Sequence, residues 1–369
     1  MMREREFWYW LCCYVNLSVK TKQALLNIFK SAENIFDAGE KCLIDTGLKE
    51  KQVSIILNSK SRFDKALSEY HNLGQKSISF ITINDMDYPE RLKNIYEPPL
   101  GLLVKGRLPD NNMKSVAIIG ARSCSHYGAE TAAWFGRELA AAGVQVISGM
   151  ALGIDSRGLC GAVKMQGKAF AVLGSGTEVI YPPENIDLYQ EIVEIGGVIS
   201  EYPPHEKPLA YHFPQRNRII SALADCVVVV EARKKSGSLI TADLALEQGK
   251  DVAAVPGRHS DELSAGSNML IKNGAYLVMS PDDVLDIIGV ADSGHDKNSH
   301  IKNSNRIKIT LDKRKEKVYS ILHLEPKYIE TIIKESGLGL EEVLEILVEL
   351  EMDGLIKQTS KNYYASCIG

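Results

Sequence analysis

The feature that most limits the fold starts at Ser115. From there, short apolar runs alternate with segments of helical period as far as Val255. Runs at Val116–Ile119, Val144–Ile147, Ala169–Leu173, Val198–Ile199, Val227–Val230 and Val252–Val255 read as strands. Between them Ala129–Ala142, Asp155–Met165, Leu188–Ile195, Asn217–Leu223 and Leu239–Gln248 read as helices. Strands that are apolar on both faces need cover on both faces. A strand–helix repeat supplies that cover by laying helices over a parallel sheet. The expected class for 115–290 is therefore α/β, a Rossmann-like, mainly parallel sheet with helices on both faces.

The flanks read differently. Residues 1–75 form a small helical domain of SAM or helix-hairpin type. Its signals are the helical spacing in Ala24-Leu25-Ile28-Phe29 and Val53-Ile56-Leu57, punctuated by Gly39 and Gly47. The opening MMREREFWYWLCCYV reads as a helix burying Trp8, Leu11 and Val15 on one face. It is not read as a signal peptide, because its head is mixed in charge and no small-residue cleavage site follows. The proline-containing stretch 76–114 reads as an extended joining segment, 291–305 as a linker, and 306–369 as a winged helix. No run approaches the length of a membrane span. With 43 basic and 47 acidic residues the net charge is −4, which excludes a histone-like binder but not a local basic cleft. Seven cysteines, an odd number without a C-x-x-C pair, indicate reduced thiols in a cytoplasmic protein and no zinc site.

In a doubly wound sheet, ligands lie beyond the carboxyl ends of the strands. Here those ends carry Gly120-Ala121-Arg122-Ser123, Ser148-Gly149 with Gly153, Gly174-Ser175-Gly176-Thr177, Ser236-Gly237-Ser238 with Thr241, and Pro256-Gly257. Glycine admits close backbone approach, helix N-termini attract anions, and Arg122 can grip a phosphate with two donors. For any one loop a plain tight turn accounts for the glycines. Five such loops on one edge point to a phosphate-bearing ligand lying across all of them. Phe213-Pro214-Gln215-Arg216-Asn217-Arg218 adds aromatic and cationic groups. Arg216 and Arg218 diverge by about 200° on a helix. One is expected to hold the fold by pairing with Asp225 or Glu231 while the other meets the ligand. Phe213 reads equally as a stacking platform for bases or as a core side chain.

Two common assignments fail. The first turn, GARSCSHYG, lacks G-x-G-x-x-G, and the second strand ends in Ser148-Gly149 with no acid, so a dinucleotide cofactor is disfavoured. The P-loop lysine is also missing. No cofactor, metal site or catalytic residue is expected.

Taken together, IIGARSCSHYG, VISGMALGIDSRG, VLGSGTEVIYPPEN, ISEYPP, FPQRNRIISALAD, VVVVEARKKSGSLITADLALEQGKDVAAVPG and GSNMLIKNGA resemble the DNA-processing protein A (DprA/Smf) family, as does the upstream YPERL…PPLGLLVKG. The resemblance covers nearly the whole chain. It implies a homodimer that binds single-stranded DNA and loads the recombinase RecA on it during natural transformation. It implies a pocket of Gly120, Arg122, Ser148, Gly149, Gly153, Arg216, Asn217, Arg218, Ser236, Gly237, Ser238 and Thr241, with Phe213 beside it and Asp155 holding the preceding loop. Departures are Cys160 where the family usually has histidine, the added charge of Arg157, and Val15–Val19 in place of a glycine-rich hairpin.

Two other functions compete. One is a nucleotide phosphoribohydrolase using Asp243 after Ser236-Gly237-Ser238, though the paired glycines and glutamate of that motif are missing. The other is a regulator whose winged helix reads duplex DNA. Against the latter, residues 306–369 hold 10 basic and 11 acidic residues, and Gly337–Ile356 carries six acids and no base. Phosphate attraction dominates nucleic-acid affinity, so this domain is expected to contact protein, with Val343, Leu344, Leu347, Leu350 and Leu355 packed inside it.

Overall fold

The computed structural model describes residues 2–290 and 312–367; the expected linker 291–305 lies outside the described residues. Six helices open the chain: α1 (Met2–Cys13), α2 (Val19–Phe29), α3 (Ala32–Asp37), α4 (Glu40–Asp45), α5 (Glu50–Lys60) and α6 (Phe63–Asn72). Ser18 and Ser31 cap α2 and α3 through their hydroxyls. Helix α1 is not one-sided. Phe7, Tyr9 and Trp10 are buried with Trp8, Leu11 and Val15, because α3, α6 and a sheet strand surround it. In α2 the buried positions are Lys22 and Leu25, and Ile28 faces solvent.

The segment 76–114 is not a plain joiner. It supplies β1 (Ile78–Thr82), the short α7 (Glu90–Lys93) and β2 (Gly101–Gly106). These strands pair antiparallel with each other, and β2 pairs antiparallel with β6. The core then runs β3 (Ser115–Ile119), α8 (His126–Ala141), β4 (Gln145–Ser148), α9 (Ile154–Lys164), β5 (Ala169–Val172), α10 (Ile186–Ile195), β6 (Gly197–Ser200), α11 (His212–Leu223), β7 (Cys226–Val229), α12 (Gly237–Glu247), β8 (Asp251–Ala254), α13 (Ala265–Lys272), β9 (Tyr276–Leu277) and α14 (Pro281–Ile287). The nine strands order as β1-β2-β6-β5-β4-β3-β7-β8-β9, parallel from β6 onward.

The pleat divides the core in two. Val116 and Ile118 face the cluster formed with α8, α9, α10 and α14, while Ala117 and Ile119 face the one formed with α7, α11, α12 and α13. The chain winds outward from β3 to β6 and then returns to the other side of β3 at β7. The crevice of the fold therefore opens between the ends of β3 and β7.

The C-terminal domain contains α15 (Lys313–Ile321), β10 (Lys327–Tyr328), α16 (Ile329–Ser336), α17 (Leu340–Met352), β11 (Ile356–Ser360) and β12 (Tyr363–Ser366), with three strands ordered β10-β12-β11. This is a winged helix. Its core takes Val343, Ile346, Leu347 and Leu350 from α17; Leu344, expected inside, is exposed and Ile346 holds that place.

Candidate nucleic-acid interface

The five glycine-rich loops do not form five equivalent anion sites. At the first, Glu231 takes the place a phosphate would need. Its buried carboxylate accepts the Ser125 N–H at 2.9 Å and the Ser125 hydroxyl at 2.5 Å, and Ser125 caps α8 through the Gly128 amide. A Cβ on Gly128 would sit 2.4 Å from that carboxylate. At the second loop, the buried Asp155 carboxylate accepts the Gly149 N–H at 3.1 Å. At the third, the Ser175 hydroxyl donates to the Val179 carbonyl and the Gly176 N–H to the Glu206 carbonyl. At the last, Asn268 satisfies both the N–H and the carbonyl of Gly257. Four of the five loops thus have polar groups bonded within the fold, while the N-terminus of α12 is open. There Gly237 is exposed, with no atom within 4 Å of where a Cβ would lie.

The polar groups gather around one aromatic ring. The Arg122 guanidinium lies 5.2 Å from the centre of Phe213, and that of Arg216 lies 5.9 Å from it. Phe213 is half-buried against Gly174, with exposed Tyr181 tilted toward it at 5.8 Å. The two arginines differ in kind. Arg122 is exposed and makes no ion pair among the described residues. Arg216 is buried and donates to the carbonyls of Gly149, at 2.9 Å, and Val172. Burial lowers its pKa to about 10 despite the opposing pull of Asp155. Burial also raises Asp155 from the ordinary carboxylate value, against the charge of Arg216 and three backbone N–H donors. Arg216 therefore serves as a buried strut beside the ring.

Gly149 and Gly153 form the floor. A Cβ on Gly149 would lie 2.6 Å from the Arg216 guanidinium, and Gly153 has φ +79° with its Cβ position 2.3 Å from the Ala121 carbonyl. Asn217 accepts from Arg216 Nε and donates weakly to the Gly237 carbonyl at 3.4 Å, linking α11 to the open end of α12. The Ser236 and Ser238 hydroxyls bond each other at 2.7 Å.

Other expected site residues are engaged within the fold. Ser148 is buried and donates to the Ile118 carbonyl at 2.6 Å, and Thr241 is buried in α12. Gly120 packs against Ile154 and the Glu231 backbone. Arg218 points to the other side of α11, gripping Glu201 at 2.7 and 2.8 Å. There it lines a separate cavity of about 880 Å³ between the N-terminal helices and α11. The pairing expected with Asp225 or Glu231 is not made, since Asp225 meets Arg91 at 3.1 Å and Glu231 meets Ser125. Cys160 is half-buried against the core, and Arg157 is exposed beside it.

Sequence reasoning passed over Tyr181, Lys234 and Lys235, all exposed at this rim. The available signal was a basic run, Arg233-Lys234-Lys235, directly before a helix N-cap.

Comparison with known proteins agrees with this architecture. The model of the family described as DNA recombination-mediator protein A matches residues 79–289, and the DprA winged helix domain matches 303–360. The Bacillus subtilis DNA processing protein DprA is 38% identical over 226 residues, covering 61% of this chain and 75% of that protein. The X-ray structure of DNA processing protein A from Streptococcus pneumoniae aligns with TM-score 0.64 at 33% identity, covering 76% of this chain and 97% of that one. A Helicobacter pylori DNA processing protein A structure, described for its single-stranded DNA binding mode, aligns with TM-score 0.51 at 29% identity over 57% of this chain and 95% of that one. With the family model matching more than half its length, the chain belongs to the DNA recombination-mediator protein A (DprA/Smf) family.

Proposed function

We propose that this chain binds single-stranded DNA over the β3–β7 crevice and, as a homodimer, loads a RecA recombinase on that strand during natural transformation, without chemical turnover of its own. The observation that carries the DNA reading is Phe213 with the Arg122 and Arg216 guanidiniums at 5.2 and 5.9 Å from its ring centre. A half-exposed ring with one buried and one exposed cation beside it fits a stacked base with its phosphate. The open N-terminus of α12, with Lys234 and Lys235 before it, supplies the next phosphate contact along the rim. The binding mode described for the Helicobacter pylori relative supports the same ligand.

The dimer and recombinase assignments rest on family membership. The dimer has further support at the β9 edge of the sheet, where Tyr276, Leu277 and Met279 are exposed apolar groups. The non-catalytic reading rests on the rim chemistry. The Ser236 and Ser238 hydroxyls bond each other, the Ser148 hydroxyl donates to a carbonyl and that of Ser125 to Glu231, and the buried Glu231 and Asp155 carboxylates accept backbone amides.

The test is fluorescence anisotropy with a labelled oligonucleotide at several salt concentrations. Arg122→Ala is expected to weaken binding across sequences and to lower the salt slope by about 0.7 per lost phosphate. Phe213→Ala is expected to cost about 1–3 kcal/mol per base unstacked. Unchanged affinity in both folded variants would sink the placement. Nucleoside monophosphate turnover abolished by Asp243→Ala would favour the hydrolase instead.

A further inference from the structure

The exposed side of α17 is unusual for a small domain's surface helix. Leu340, Leu344, Val348 and Met352 all face solvent, with Val348 at 55% and Met352 at 83% exposure. They recur every four residues and so form one continuous apolar ridge along the helix. The buried face of the same helix, Val343, Ile346, Leu347 and Leu350, already completes the domain core. The ridge is therefore surplus to folding.

The acids of α17 fall into two sets. Those on the α15 side are neutralised within the domain. Glu342 pairs with Arg314 at 2.9 Å, and Lys315 meets Glu349 at 3.0 Å and Asp353 at 3.9 Å. Glu351 accepts the Gln358 N–H. Glu341 and Glu345, exposed beside the ridge, meet no cation among the described residues. An apolar stripe bordered by uncompensated carboxylates repels phosphate. It also repels a second copy of itself, because packing α17 on α17 would bring both acidic borders together.

We propose that this ridge docks an amphipathic helix of a partner protein whose apolar face is bordered by Lys or Arg. Apolar side chains of the partner would cover Leu344 and Val348 at the centre, and its cations would meet Glu341 and Glu345 at the rim. The site lies on α17, none of whose residues lines the cavity that Lys357, Gln358 and Thr359 of the same domain share with Arg122 and Gly153.

The test uses the full chain and a fluorescein-labelled synthetic helix, about 18 residues long, with leucines on one face and lysines beside them. A peptide of the same composition in scrambled order is the control. The ordered peptide is expected to bind at least tenfold more tightly than the scrambled one, with affinity falling as salt rises. Val348→Lys is expected to remove that preference while leaving the thermal transition and oligonucleotide affinity unchanged. The double variant Glu341→Lys, Glu345→Lys is expected to switch the preference to a peptide bordered by glutamates. Equal binding of ordered and scrambled peptides, or an unaltered preference in Val348→Lys, overturns the proposal. So does light scattering showing that Val348→Lys splits a dimer, or a loss of oligonucleotide binding in that variant.

Discussion

Arg216 shows what separates a ligand-binding cation from a structural one. Its guanidinium is buried, bonded to two carbonyls and faced by Asp155. Removing it leaves two buried carbonyls without their donor and takes a favourable charge from beside Asp155, so Arg216→Ala is expected to destabilise the fold by about 1–3 kcal/mol for each carbonyl left unpaired, read in urea titrations. Arg216→Lys is expected to recover little of this, since one ammonium cannot reproduce the planar fork. A fully stable Arg216→Ala would place the side chain in the ligand site instead. His212, one residue before Phe213, is a second residue with a measurable signature. It is buried, its Nδ1 lies 3.2 Å from the Gly174 carbonyl, and it stacks on Tyr202 at 3.9 Å. Burial lowers its pKa below the unfolded value of 6.5. Between those two values the unfolded chain holds more protons than the folded one. The contribution is therefore complete above pH 6.5 and is lost as pH falls through the folded pKa. Stability is expected to drop with acidification below pH 6.5 in the wild type and less steeply in His212→Gln. Parallel pH profiles for the two proteins would remove His212 from this role.

Among the elements, the two loops that open α9 and α12 use glycine for opposite purposes. Gly153 enters α9 at φ +79° against the Ala121 carbonyl, and Gly153→Ala is expected to cost about 1–3 kcal/mol. Gly237 begins α12 in open space, and Gly237→Ala is expected to raise stability by about 0.5–1 kcal/mol. On the DNA reading the same change weakens oligonucleotide binding, because a methyl then stands where the backbone meets a phosphate. Calorimetry beside anisotropy checks both signs; Gly237→Ala binding DNA as the wild type does would remove α12 from the interface. These loops also mark how far the sequence could be read. Core strands buried on both faces announce themselves as unbroken apolar runs, so β3 to β8 were legible to within a residue or two. Strand β1, with Ile78, Phe80 and Thr82 buried in alternation, was hidden among turn signals and prolines. The glycine loops were legible as loops. Their occupancy was not, because the carboxylate that fills the α8 entrance comes from Glu231, 106 residues beyond Ser125.

At the scale of the molecule, the sheet joins what the sequence divides. Strand β2 packs under α1 and pairs with β6, so the N-terminal helices and the parallel core share one continuous sheet. The C-terminal domain has a core of its own, made of residues from α15 to β12. Deleting 312–369 is therefore expected to leave the remaining transition intact and oligonucleotide affinity within about threefold, an energy change below about 1 kcal/mol. Loss of most affinity in a folded truncation would show that the winged helix holds the strand. The strand order has a mechanical consequence as well. The N-terminal helices enter the sheet at β1 and the C-terminal domain leaves after β9, which are its opposite edges. Tension applied between the two ends therefore runs across the strands, along the hydrogen bonds that join them. Such a load peels strands one at a time rather than shearing many bonds together. The load reaches the sheet through α14, which packs on α8, and then β9, which is held to β8 by two residue pairs, Ala253 with Tyr276 and Ala254 with Leu277. Under such a load the sheet would be soft, giving way from the α14–β9 edge inward.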